Sequence, residues 1–456
     1  MSQTIDRTRP PKPGKQSQML FPTFALHTMK NGIPVYIVEN HAQPYISLQI
    51  VIRSGASSDG ELPGLAEFTS NLLLSGAGKM SAQELAEEID YLGASLDASA
   101  GRDETTIGLG VLSGFLPRAL SIMADVVLRP TFPADEVQRE RKQSIAALKQ
   151  HRSDPAYLAS VQFRREIHGD APYGREIDGN EDSLRKINRV ECSRYHQKYF
   201  TAGNAFFVAA GDVQVPEFLE MLEEHFGQWS GNRPERMSFA PVLGTGLPRI
   251  VIVDRPDSVQ SALRVGAPGL ARRDPDYIAM ITINTLFGGY FNSRINNNLR
   301  ERNGYTYGAR SLVDSLLMPG TISVAASVGT GVTEAALREI FNELAAITAE
   351  PVSENELEMV KSYIIGSQAL QIETPGQVAS FVRAIALFGL PHDYYQRFPA
   401  EVRELTREQL LDVARRYMRP DRMVGVIAGD ARAIREKLED ICPVKVVNER
   451  GEEITV

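Results

Sequence analysis

The side chains able to do chemistry are informative first for what they fail to assemble. The chain has seven histidines. No two are spaced H-x-x-x-H, the interval that puts two imidazoles on one helical face toward one ion. His151, His168, His196 and His225 are scattered and read as structural. ELAEEID (residues 84–90) gathers four carboxylates, but its spacing reads as a solvated helix face. VGTGV (328–332) lies between a strand and a helix expected from about Thr333. It lacks the Lys-Ser/Thr that a phosphate loop needs, so it reads as a turn plus helix N-terminus. No Ser-His-Asp or Cys-His constellation can be built from the spacing. Cys192 and Cys442 are the only cysteines. One bridge in so long a chain is no framework, and such usage fits a reducing compartment.

The elements that must carry any site follow from length and pattern. A chain of 456 residues implies two to four domains at roughly 100–200 residues each. With 43% hydrophobic and 23% charged residues it has the composition of a globular protein. Its net charge of −8 argues against a nucleic-acid or anionic-membrane surface. No apolar run reaches membrane-spanning length, so no membrane partner is expected. Residues 1–20 are basic, carry Pro10, Pro11 and Pro13, and contain no apolar h-region. They are expected to form a disordered arm. The expected location is cytoplasmic, or periplasmic if a signal has been trimmed.

The chain repeats itself. KYFTAGNAFFVAAGD (198–212) aligns without a gap to RYMRPDRMVGVIAGD (416–430), an offset of 218 residues (430 − 212). PADEVQRERK from Pro133 and PVSENELEMVK from Pro351 give the same offset (351 − 133), each after an amphipathic stretch. Leu116, Leu120, Met123 and Val127 form one apolar helical face, and Leu337, Ile340, Phe341 and Leu344 form the other. Each half opens with strands: IPVYIVEN and ISLQIVIRSG in the first, RIVIVD and QSALRVGAP in the second. Asp274-Pro275 is expected to open a helix, with Asp as N-cap and Pro at N1. Strands and helices mix without strict alternation. The expected fold class is therefore α+β: two homologous halves with mainly antiparallel sheets, related by internal duplication. The expected division is the arm 1–20, a domain 21–230, a Gly- and Pro-rich linker 231–248, and a second domain 249–456.

PGLAEFTSNLLLSGAGKMSAQELAEEIDYLGASLDA from Pro63, then FPADEVQRER, HGDAPYGREIDG and FGGYFNSRINNNLRERNGYTYGARS, occur in this order. Together they resemble the pitrilysin/insulinase family of zinc metallopeptidases, in its two-domain form related to mitochondrial processing peptidase. The resemblance runs from about Leu26 to Asp430. It implies the metallopeptidase/LuxS-like fold and a peptide substrate. Active members carry H-x-x-E-H on a helix, with a third carboxylate ligand on a later helix. Here the motif positions hold Glu67, Ser70 and Asn71, and the third falls on Ala146 or Ala147 in RKQSIAALKQHRSDP. A mononuclear site of this kind needs three protein ligands. No metal is expected in this chain, and no cofactor.

The family also places an Arg and a Tyr seven residues apart in its second half. Arg300 and Tyr307 occupy those positions. The resemblance implies that the phenol is an oxyanion donor and that the guanidinium holds substrate carbonyls. Gly304 would permit the turn between them. It further implies an extended peptide adding at a sheet edge beside the zinc helix, along the segment 96–113, where Ile107, Leu109 and Val111 alternate as in a half-buried strand and Gly108 and Gly110 leave the other face nearly bare. The expected function is the zinc-free subunit of a heterodimeric peptidase, inactive alone, whose sister chain supplies zinc; a homodimer is the other possible assembly. The competing expectation is a non-catalytic scaffold or peptide-binding protein, a use of the fold seen in respiratory-chain core subunits.

Overall fold

A computed structural model describes residues 21–235, 238–239 and 249–455. The arm expected at 1–20 and most of the join expected at 231–248 lie outside the described residues. Among the described residues, eight strands belong to the first half: β1 (Ala25–Thr28), β2 (Pro34–Glu39), β3 (Tyr45–Ile52), the small hairpin β4 (Gly76–Ala77) and β5 (Met80–Ser81), β6 (Ser95–Ala100), β7 (Thr105–Leu112) and β8 (Ala205–Gly211). Six belong to the second: β9 (Arg249–Asp254), β10 (Gln260–Pro268), β11 (Ala309–Asp314), β12 (Thr321–Gly329), β13 (Val424–Gly429) and β14 (Val444–Val447).

The two large sheets run β1-β2-β8-β3-β7-β6 and β11-β12-β10-β13-β9-β14. Five strands of each correspond in order, β2-β8-β3-β7-β6 with β9-β13-β10-β12-β11. Antiparallel pairs dominate, with β2–β8, β9–β13 and β9–β14 parallel. The fold is thus the expected α+β duplication. Each sheet packs helices on its faces, and among the described residues no helix is long and apolar enough to cross a membrane.

The apolar runs AFFVAA and VGVIA follow from burial on both faces. Along β8, Phe206, Val208 and Ala210 join one core while Phe207 and Ala209 join another. The amphipathic faces read from sequence lie where expected: Leu116, Leu120, Met123 and Val127 are buried on the helix Leu116–Leu128. On the helix Thr333–Ala349, Leu337, Ile340 and Leu344 are buried and Phe341 is partly so. The helix expected at Asp274 starts later, at Tyr277, with Asp276 as N-cap. Asp274 instead bonds the Asp276 N–H through its side chain, forming a turn before the helix. The long helices start at Ala134 and Glu354, 220 residues apart (354 − 134). The offset of 218 therefore slips by two here, because Ser353, not Pro351, caps the second.

Each half lends a helix to the other. Pro155–His168 leaves the first half and lies on the second sheet, burying Leu158, Ala159, Phe163 and Ile167 against Val251, Val253, Ala262 and Val426. Pro375–Phe388 crosses the other way, burying Val378, Ala379 and Val382 in the core that holds Val51, Phe206 and Val208. Polar contacts fix the crossing: Arg249 on Glu166 at 2.7 Å, Arg164 on Asp314 at 2.7 Å, and Arg53 Nη1 on the Ala386 carbonyl at 2.8 Å. The two halves should therefore unfold together. Phe163→Ala removes a buried ring from the second half's face and should destabilise by about 3–5 kcal/mol. Trp229 is the sole tryptophan and packs, partly buried, against the first half's core. Urea unfolding followed by its fluorescence should show the full loss, and an unmoved midpoint would mean that the halves melt independently.

Candidate functional site

The first candidate surface is built on the helix Leu65–Leu72. Its entry is a tight junction: Gly64 stands at φ +92°, and a Cβ there would lie 2.9 Å from the Gly179 Cα. The helix N-terminus is capped from outside by Asp59, whose carboxylate accepts from the N–H groups of Gly64 (2.7 Å) and Ala66 (2.8 Å). Burial nonetheless pushes the Asp59 carboxyl up to about 7, against those two bonds and the nearby Arg175 charge.

Glu67 and Asn71 project from this helix into a cavity of about 400 Å³, whose far wall is the helix Ala134–Ser153. Ala147 lines it and Ala146 does not. Three of the expected positions are thus brought together. Ser70 is not at the cavity; it is fully buried and its hydroxyl donates back to the Glu67 carbonyl at 2.8 Å. Glu67 accepts from the Ala100 N–H of β6 at 2.9 Å, and Asn71 Nδ2 donates to Glu140 at 3.0 Å. Burial raises the Glu67 pKa, and the charges of Asp178 and Glu140 add to this. Glu140 was not anticipated. It lies seven residues before Ala147, two helical turns along the same face, and that spacing was its signal.

These residues do not fit a zinc ion. An alanine offers no donor, and the Asn71 amide is committed to Glu140. Among the described residues no group of three or more His, Cys, Asp or Glu side chains comes together to hold a metal. His151 reaches the cavity wall, but its Nδ1 faces Asp178 at 3.1 Å. The other histidines named from sequence do not line the cavity. His168 is fully buried, with its pKa pushed down to about 4 by desolvation and by Arg102 and Arg164. His196 bonds the Val127 carbonyl at 2.8 Å.

The segment 96–113 is not a single edge strand. It is the hairpin β6–β7, and only β6 has a free edge; β7 is paired on both sides, by β3 and β6. Gly108 and Gly110 are not a bare face either. A Cβ at Gly110 would lie 2.1 Å from the Tyr45 hydroxyl, and one at Gly108 would lie 2.9 Å from Asp97.

Arg300 and Tyr307 share a second, larger cavity of about 760 Å³ in the other half. Arg300 sits in a wide π-helical turn, Asn297–Arg302, a geometry that recurs at functional sites. Its guanidinium lies over the Phe291 ring, 4.7 Å from the centroid, with Glu301 at 3.4 Å. Gly304 takes φ +63°, the left-handed turn expected of it. Thr306 ties the following loop to β12 by donating to the Ser327 carbonyl at 2.7 Å. Tyr307 is 97% exposed, and its hydroxyl makes no hydrogen bond among the described residues. Below, Arg294 grips Glu356 through two bonds of 2.7 and 2.9 Å and holds that carboxyl down to about 2.

Two sheets in the same strand order, each packed by helices, define a duplicated α+β fold with one large cavity wall on a long helix of the first half. The chain belongs to the M16 peptidase family. Residues 35–177 match the model for insulinase (peptidase family M16), and residues 186–364 match that for the peptidase M16 inactive domain. An uncharacterized zinc protease of Mycobacterium tuberculosis is 26% identical over 398 residues, 86% of this chain and 90% of that one. A peptidase M16 inactive domain from Pseudomonas fluorescens superposes with a TM-score of 0.85 at 26% identity, covering 89% of this chain and 98% of that one. A chain of complex III2 from Candida albicans shares the fold, with a TM-score of 0.75 at 15% identity over 92% and 97%.

Elemental analysis of the purified chain should find no stoichiometric zinc. Grafting Glu67→His, Ser70→Glu, Asn71→His and Ala147→Glu together should create chelator-sensitive zinc binding, and omitting Ala147→Glu should weaken it. Equal binding with and without the Ala147→Glu change would place the third position elsewhere. Asp59 makes stability pH-dependent. Its folded pKa of about 7 stands above the ordinary aspartate value of 3.8. Its contribution is therefore most favourable below about pH 4 and is lost as pH rises through 7. Relative to Asp59→Asn, the wild type should lose on the order of 2–4 kcal/mol across that window in urea titrations.

Proposed function

We propose that this chain is the zinc-free subunit of a heterodimeric metallopeptidase, contributing Arg300 and Tyr307 to a site whose metal belongs to a sister chain. One contrast carries the reading. The cavity at Glu67, Asn71 and Ala147 has no ligand set, while the Tyr307 hydroxyl stands in an open cavity with no partner of its own. Peptide hydrolysis builds negative charge on the carbonyl oxygen, and a phenol aimed there lowers the barrier. Arg300, set over the Phe291 ring, keeps N–H groups for the carbonyls of an extended peptide.

In this reading the chain divides into two homologous units, 21–230 and 249–456, and its setting is cytoplasmic; both cysteines are free and buried, which supports a reducing compartment. The alternative is a scaffold or peptide-binding protein without catalysis, a role favoured by the likeness in fold to the complex III2 chain.

Mixing this chain with a candidate zinc-bearing sister should restore peptide hydrolysis that neither performs alone. Tyr307→Phe should then reduce turnover by about 10²–10³, with little change in assembly. Full activity of that variant would remove the proposed role, and chelator-sensitive cleavage by the isolated chain would remove the whole reading. If this chain were a scaffold, the mixture would assemble without gaining activity.

A further inference from the structure

The second half contains its own copy of the cavity that holds the altered metal positions. It lies between the helices Tyr277–Asn284 and Glu354–Leu370 and encloses about 330 Å³. The register is that of the long helices: Ala147, Leu148 and His151 of the first cavity recur 220 residues on (367 − 147) as Ser367, Gln368 and Gln371. The copy is not a relic filled with apolar side chains. It contains two buried polar groups that nothing among the described residues fully answers.

The first is Arg272, only 7% exposed. No carboxylate lies within ion-pair distance of it among the described residues. It is held instead by aromatics. Its guanidinium stacks 3.8 Å from the centre of the Tyr277 ring, and Nη1 and Nη2 donate to the hydroxyls of Tyr394 and Tyr395, each at 3.1 Å. A guanidinium has five N–H groups, and these phenols take two. The second is Gln368, 4% exposed, whose amide oxygen and nitrogen both lack a hydrogen-bond partner among the described residues. A buried amide with donor and acceptor both unmet is destabilising by itself. Such a group is uncommon in native structures, where water, an ion or a ligand answers it.

We propose that this cavity binds the C-terminal residue of a peptide. The carboxylate pairs with Arg272. The Gln368 amide, closed to solvent, turns to the N–H and C=O of the penultimate residue, which face one side of an extended chain. Phe381, Tyr395 and Ile364 supply an apolar wall for the terminal side chain. The volume suits one residue and part of the next. The cavity also adjoins the Arg300/Tyr307 cavity, with Gly289 and Tyr363 lining both. The Tyr363 ring packs on Tyr290 at 5.0 Å at that boundary. A peptide anchored here by its carboxylate end would run past Tyr363 toward Tyr307. This biological setting rests on the function proposed above; the binding chemistry does not.

The test therefore uses the isolated full chain and no catalysis. Acetyl-Ala-Phe, its C-terminal amide and sodium benzoate are titrated by calorimetry. The free acid should bind saturably, and the amide and benzoate should each bind about tenfold or more weakly, since each lacks one of the two recognised groups. Gln368→Leu should also weaken the acid about tenfold while leaving Tm equal or higher, because it removes the unmet amide; a structural glutamine would lower Tm instead. Equal binding of acid and amide overturns the proposal. So does an absence of saturable binding, or wild-type affinity in Gln368→Leu. Benzoate binding as tightly as the dipeptide would assign the site to free small carboxylates and overturn the peptide reading. None of these results depends on a partner subunit, so the function proposed above can fail without touching this one.

Discussion

Each β-sheet of this chain has an apolar face that its own half leaves uncovered. The strands β8 and β13 are apolar at nearly every position because both faces are buried, and on one face of each sheet the cover comes from the opposite half. Phe163 shows how close the fit is: its ring lies 2.8 Å from where a Cβ at Gly266 would stand. Burial of this kind is the largest favourable term available. Neither half can obtain it alone, so the reciprocal exchange of helices decides the arrangement of everything else.

A polar junction then sets the mutual orientation. The turn of the β6–β7 hairpin carries Asp103, which accepts from the Tyr173 hydroxyl at 2.6 Å and from the Leu317 N–H at 3.0 Å. The same Tyr173 hydroxyl accepts from the Met318 N–H at 3.2 Å. Leu317 and Met318 lie in the β11–β12 connection, the counterpart hairpin of the second half. The Phe239 ring closes over Tyr173, 4.6 Å between centres. Breaking one of these bonds would strand a buried group, so the junction resists small rotations. The free edges β6 and β11, with the cavities beside them, are presented at a fixed relation.

The duplication was legible because strands buried on both faces keep their apolar runs, and KYFTAGNAFFVAAGD and RYMRPDRMVGVIAGD differ little in that respect. The exchange of helices was not legible. Periodicity tells that a helix such as Pro155–His168 has an apolar face, and it is silent on which sheet receives it. The β6–β7 hairpin misled for a related reason: glycines opposite Ile107, Leu109 and Val111 read as an open face, whereas Tyr45 and Asp97 lie over them. Sequence position picked out Glu67, Asn71 and Ala147, and the fold brings these three to one cavity. Glu140 was legible only through its spacing of two helical turns from Ala147, and Asp59 only as an acidic residue five positions before the helix entry at Gly64. Arg272 and Gln368 are likewise ordinary in sequence, and only their shared enclosure makes them unusual.

The two halves have put the same scaffold to different uses. In the first, the polar groups at the cavity now answer one another: Glu67 is tied to β6, and Asn71 to Glu140. In the second, the groups point outward or stand unmet. A side chain whose task lies within its own chain tends to find a partner there, because an unpartnered buried polar group is costly and an exposed ring gains little from folding. Tyr307 at 97% exposure satisfies no need of this fold. Its loop is nevertheless fixed by Thr306, by the left-handed Gly304 and by the Arg294–Glu356 pair beneath. The mount is thus rigid at a position where folding itself gains little from the ring it carries.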